Sequence, residues 1–209
     1  MQSTFDHFLW GASSLDDARA EFEQMTGVSP VIGGSHPGFG TWNALVSLGN
    51  GIYFEIIAPD PEQSLDGNLG GHLRHFSAPR LIGLAMRTDQ LSDVAKAYAA
   101  HGISTRQLDM SRQAPDGQTL HWSVCLPDTA EAAINALRPF FIDWEDTPHP
   151  SGTTPKGCSF RALTVSAPEG EAHNTLWADL GMPVEVQSAK KLTLKLEINS
   201  PNGVVTLAG

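Results

Sequence analysis

Cysteine, basic residues and long apolar runs are all scarce in this chain. Its two cysteines, Cys125 and Cys158, are too far apart for a CxxC metal or redox motif, so reduced, partly buried thiols are expected. Thirteen Lys and Arg against 23 Asp and Glu give a formal charge of −10. The basic residues form no long cluster apart from Lys190-Lys191, which argues against a phosphate-binding surface and against nucleic acid as a partner. No apolar run approaches the roughly 20 residues that span a membrane. The amino terminus has no basic segment followed by an apolar core, and Phe5 to Trp10 is too short for a signal peptide, so a cytoplasmic location is expected. What is present is an ordinary globular composition, 41% hydrophobic and 17% charged over 209 residues. A chain of that length buries a substantial core without disulfides or metal staples.

A strand-helix-strand-strand-strand unit recurs along the chain. In the first copy Phe5 to Trp10 suits a strand buried on both faces. Ser13 or Ser14 then caps a helix with Leu15, Ala18, Phe22 and Met25 at helical spacing, and Gly27 stops it. Val28 to Ile32, Thr41 to Leu48 and Gly51 to Ala58 supply three more strands, the last two joined by the hairpin signal Gly49-Asn50-Gly51. The second copy opens at Arg80 and continues with a helix from about Asp89 carrying Leu91, Val94 and Tyr98. Its later strands are Ile103 to Leu108, Leu120 to Leu126 and Pro139 to Trp144, with a turn at Asp116-Gly117 and a short helix around Thr129 to Leu137. The third starts at Ser159, has a helix from Pro168 to Leu180, and then the clearest alternation in the protein: Leu192, Leu194, Leu196 and Ile198 between polar residues. A spacing of roughly 75 to 80 residues marks an internal repeat. Residues 66–75, glycine-rich and polar, read as a surface loop that can move.

Asp6-His7, the helix ending at Gly27, Gly33-Gly34-Ser35-His36-Pro37-Gly38-Phe39-Gly40-Thr41, Asn43-Ala44-Leu45 and Tyr53 to Pro61 resemble the vicinal oxygen chelate superfamily (glyoxalase, bleomycin resistance and dioxygenase proteins), specifically its glyoxalase-like domain family. Trp122 and Pro139 to Trp144 are also similar to that family. The resemblance implies an α+β fold in which repeated βαβββ units form a curved, U-shaped mixed sheet with helices on the outside. Residues 1–150 would hold two units, about 5–61 and 80–144, around a trough. Residues 158–209 would form a third, packed on them or at a subunit contact of a homodimer. It further implies a divalent metal (Zn, Mn or Fe) on the trough floor, ligated from the first and fourth strands by His7 and Glu55, with Asp143 as the second unit's contribution. Gly83 or Leu84 takes the place of His7 there and cannot ligate through its side chain. The implied activity is lyase, isomerase or dioxygenase chemistry on a small carbonyl or vicinally oxygenated compound; the alternative is a metal-free protein that binds or sequesters a small molecule.

Each candidate residue also has a plainer reading. His7 and Glu55 are either metal ligands or a buried hydrogen-bonded pair. His36 is either an acid or base, with a side chain whose ordinary pKa lies near neutrality, or part of a glycine-rich turn. Glu55 and His36 are the candidates for moving a proton. Asn43 either binds a substrate carbonyl or bonds a neighbouring strand. Trp42, Trp122, Phe141 and Trp144 either line the trough or fill the core. His121 should face away from Trp122, and His72, His75 and His149 fall in loops where solvation is expected.

Overall fold

The computed structural model describes residues 3–113, 117, 119–128 and 134–209; Asp116 of the expected turn and residues 129–133 of the expected helix lie outside them. The first strand, β1 (Thr4–Gly11), is buried along nearly its whole length, as an aromatic and aliphatic run with a strand on either side must be. The side chain of Ser14 accepts the N–H of Asp17 to cap α1 (Leu15–Thr26), and Gly27 closes the helix at φ 74°, a left-handed conformation that costs glycine nothing. β2 (Val31–His36) begins only after Pro30, which has no N–H to donate. With β3 (Thr41–Ser47) and β4 (Tyr53–Pro59) it completes the first unit.

The glycine-rich stretch expected to be a movable loop instead carries α2 (Leu69–Leu73), capped by Asn68. Leu69 and Leu73 are buried with Ile57 and Phe76, which anchors the segment to the sheet. The second unit consists of β5 (Arg80–Arg87), α3 (Leu91–Ala100), β6 (Thr105–Gln113), β7 (Thr119–Pro127) and β8 (Phe140–Asp143). Both units return their last strand parallel beside their first. They meet through the antiparallel pair β1–β5, giving one eight-stranded sheet in the order β2-β3-β4-β1-β5-β8-β7-β6. It curls into a half-barrel.

On the outer face Phe22 of α1 and Tyr98 of α3 pack into a core with Trp10, Phe54, Met86 and Phe141. Each such side chain contributes roughly 1.5–3 kcal/mol by leaving water. The remaining chain forms β9 (Ser159–Ala167), α4 (Gly170–Asp179), β10 (Val186–Ser188), β11 (Thr193–Ser200) and β12 (Gly203–Ala208). Its element order matches the repeat, but its sheet runs β10-β9-β11-β12, so the first strand pairs with the second and third and not with the last. The apolar stripe of Leu194, Leu196 and Ile198 joins the same outer core. β11 and β12 lie against β5, and α4 lies against α3. The concave face is thereby left open for a site. Among the described residues no helix is long and apolar enough to cross a membrane.

Candidate functional site

Alternation along β1 should send Asp6 and His7 to opposite faces. The β1–β5 ladder skips a step, however: Phe5 pairs with Met86 and His7 with Ala85, leaving Asp6 unpaired. A bulge of this kind re-aims a side chain, and the Asp6 carboxylate meets Nδ1 of His7 at 2.7 Å. On the other side of the ring, Nε2 of His7 stands 3.1 Å from Glu55 Oε2. The parallel pairing of β1 with β4 brings these two residues together by setting Leu9 opposite Glu55 and His7 opposite Tyr53. Tyr53 stacks on the imidazole, with ring centroids 4.4 Å apart.

The chain of contacts continues into the neighbouring strands. Asn43 Nδ2 donates to Glu55 Oε1 at 2.7 Å and lies 3.3 Å from His36 Nε2. A carboxylate only accepts, so the amide presents its NH2 to Glu55 and therefore also to His36, whose Nε2 is in its acceptor form. Nδ1 of His36 lies 3.1 Å from Thr41 Oγ1, and its Nε2 is 3.7 Å from Glu55 Oε1. At the other end, Asp6 Oδ2 takes hydrogen bonds from Trp144 Nε1 at 3.0 Å and from His149 Nε2 at 2.9 Å. The Ser151 backbone N–H points at His149 Nδ1, so that nitrogen is an acceptor and Nε2 carries the hydrogen given to Asp6.

Charge follows from this geometry. Burial pushes the His7 pKa down, but hydrogen bonds and charge from Asp6 and Glu55 together outweigh it and raise it to about 9. Burial likewise pushes both carboxyls up. The hydrogen bonds of His149 and His7, with the charge of His7, hold Asp6 at about 2. The hydrogen bond and charge of His7, with the hydrogen bond of the Asn43 amide, hold Glu55 at about 2. At neutral pH His7 is an imidazolium between two carboxylates.

His7, His36, Asn43 and Glu55 form one polar stretch of the wall of a cavity of about 430 Å³, whose other walls include Leu45, Tyr53, Met110, Trp122, Ile142 and Trp144 together with the polar Arg106, Asn135 and Arg138. Trp122 and Trp144, centroids 5.4 Å apart, face the trough as one reading of the sequence expected. Phe141 does not. It faces the outer core against Tyr98, because the strand's alternation gives the trough Phe140 and Ile142 instead. Alternation on β3 does the same there: Thr41, Asn43 and Leu45 line the cavity, while Trp42 packs on the outer core.

Asp143 also alternates away from the trough, and its Oδ1 accepts the N–H of Glu145. Aligning the helix starts, Leu15 and Leu91, puts Gly83 in the place of His7. The strand pairings Leu9–Glu55 and Ala85–Phe140 put Phe140 in the place of Glu55. Neither of these two positions in the second unit supplies a ligand, and among the described residues no group of three or more His, Cys, Asp or Glu is placed to hold a metal. His7 shares a proton with Glu55 where a ligand must offer a lone pair. The donor set does not fit a catalytic metal held by three protein ligands.

Two members of the site lie outside the expected set. Asp6 stands next to His7 in sequence, but only the bulge turns it inward. His149 was expected to be solvated, yet it is half-buried against Asp6. Its flanking prolines, Pro148 and Pro150, were the available sign of a fixed backbone.

No curated protein matches the chain. Similar solved structures include a hypothetical protein from Staphylococcus aureus, 16% identical, covering 99% of this chain and 85% of that one at a TM-score of 0.66. A methylmalonyl-CoA epimerase from Mycobacterium tuberculosis is 18% identical over 66% of this chain and 86% of that one, at a TM-score of 0.45. The family model described as a glyoxalase-like domain matches residues 5–181. That span takes in both units around the trough and every residue of the polar network, and with the half-barrel fold it shows that the chain belongs to the glyoxalase-like domain family of the vicinal oxygen chelate superfamily.

Proposed function

We propose that the trough takes a small, largely apolar compound bearing a carbonyl or vicinal oxygens, and that the site moves a proton on it in an isomerase- or lyase-type reaction. The observation that carries this reading is the acceptor-form Nε2 of His36 on a polar stretch of a mostly apolar cavity wall. Glu55, held at about 2, is too weak a base to compete. Its part is to stay ionised. When Nε2 of His36 takes a proton it can no longer accept from Asn43, and the Glu55 oxygen 3.7 Å away stabilises the new cation. His7, fixed between its two carboxylates, keeps Glu55 in place, while Tyr53, Trp122 and Trp144 hold the apolar body of the ligand and exclude water.

A second reading, metal-free binding without chemistry, is favoured by the facing half of the trough, where Phe140 and Ile142 supply no acid or base. Incubating the protein with a panel of simple ketones in D2O, and following loss of the α-carbon protons by NMR, separates the two. Exchange that disappears in His36→Gln, with ligand binding retained, supports proton transfer. Binding of ketones with no exchange above the buffer rate would leave the binding reading.

A further inference from the structure

The charge on the trough wall runs against that of the chain. The protein carries −10, yet Glu55 is the one carboxylate on the described wall, while Arg106 and Arg138 both reach it. Glu55, 3.1 Å from His7, shares the charge of that imidazolium with Asp6, which lies outside the wall. Among the described residues both arginines meet one residue, Asp128. Arg106 Nε lies 3.3 Å from Asp128 Oδ1, and Arg138 Nη1 donates to the Asp128 main-chain oxygen at 3.4 Å. One aspartate therefore gathers two guanidinium groups while its carboxylate matches one of them, leaving a net single positive charge among these described groups. Asn135, on the same wall, spends its Oδ1 on the N–H of Leu137. Its remaining NH2 can only donate.

Arg106 stands on β6 with Leu108 and Met110, which line the trough with it at every second position. An apolar body lying on Leu108 and Met110 thus brings one of its ends to a guanidinium. Guanidinium forks bind carboxylates through paired, charge-assisted hydrogen bonds, and more strongly where apolar walls reduce competing water.

We propose that the ligand of the trough is an amphiphilic monocarboxylate, its apolar body against the Trp122–Trp144 wall and its carboxylate at Arg106 and Arg138. The assignment rests on the reading of the trough as a small-molecule site and adds to it the charge class of the ligand. A monoanion suits the net single positive charge, and a neutral compound of the same shape leaves that charge unmatched.

The test compares 4-phenylbutanoate with 4-phenylbutanamide, equal in shape but different in charge, by calorimetric titration of the full chain at low salt. The carboxylate is expected to bind at least about tenfold more tightly. Arg106→Gln and Arg138→Gln should each reduce that preference, and the double variant should abolish it, with far-UV circular dichroism and melting of the ligand-free variants unchanged. Equal binding of the two compounds, no binding of either, or a carboxylate preference that survives in the double variant would overturn the proposal. His36→Gln should leave the preference intact, so failure of the proton-transfer reading is seen separately in the deuterium experiment.

Discussion

Replacing Asp6 by Asn changes one atom and disturbs the whole buried network. Asp6 is fully buried and accepts from three donors: His7 at one oxygen, Trp144 and His149 at the other. An asparagine keeps its oxygen where two donors converge and turns its NH2 toward Nδ1 of His7. Two N–H groups cannot face one another, so His7 gives up its Nδ1 proton and donates only to Glu55. The scale of the loss follows from the His7 pKa, whose rise from 6.5 to about 9, the joint effect of Asp6 and Glu55 against burial, corresponds to about 3 kcal/mol. Removing one partner of a buried ion pair costs a similar amount, roughly 3–5 kcal/mol. For a chain of this size about 3 kcal/mol lowers the melting temperature by roughly 6–12 °C.

Urea denaturation at a series of pH values measures both the loss and its cause. The raised pKa of His7 gives stability that is fully present below 6.5 and lost as pH rises through about 9. The lowered pKa values of Asp6 and Glu55 give stability that is present above their ordinary values, 3.8 and 4.5, and lost as pH falls through about 2. The wild-type protein should therefore be most stable between 4.5 and 6.5 and weaken on the alkaline side. Asp6→Asn should be weaker throughout that window and flatter from 6.5 to 9. A variant within about 1 kcal/mol of wild type, with the same alkaline loss, would refute the reasoning.

Other parts of the structure make separate predictions. Tyr98→Phe removes the buried hydrogen bond to the Pro139 carbonyl, 2.5 Å long, and should cost about 1–3 kcal/mol in chemical denaturation. Gly70→Ala drives a Cβ into the Gly40 main-chain oxygen beside the trough; it should destabilise by roughly 1–3 kcal/mol and weaken ligand binding, read by melting and titration together. Elemental analysis of purified protein dialysed against buffer should find the same trace of Zn, Mn and Fe in wild type and in His7→Ala. Stoichiometric metal lost in the variant would restore the chelate site that the donor set does not support.

Most of the fold was legible because each signal was local. Ser14 and Gly27 announced the ends of α1, and the alternation from Leu194 to Ile198 announced β11. β10, three residues long, offered too little pattern to be seen. Topology was less legible than element order: β9 sits inside its sheet while β1 and β5 lie beside the last strand of their units, a difference set by long-range pairing. In the site, His7, Glu55, Asn43 and His36 do come together. The faces of Phe141 and Asp143 depended on the phase of a four-residue strand, which sequence alone leaves open by one residue. Asp6 depended on a bulge, and His149 on the path of the segment after β8.

What joins His7 to Glu55 decides the chemistry of the site, and a proton is the answer the geometry gives. Nitrogen-15 NMR of histidine-labelled protein reads the ring directly. Both nitrogens of His7 should carry hydrogen at neutral pH and keep it until pH approaches about 9. A His7 ring that loses a proton near 6.5, its ordinary value, or an Nε2 signal that moves on adding a divalent metal and returns with chelator, would contradict the account.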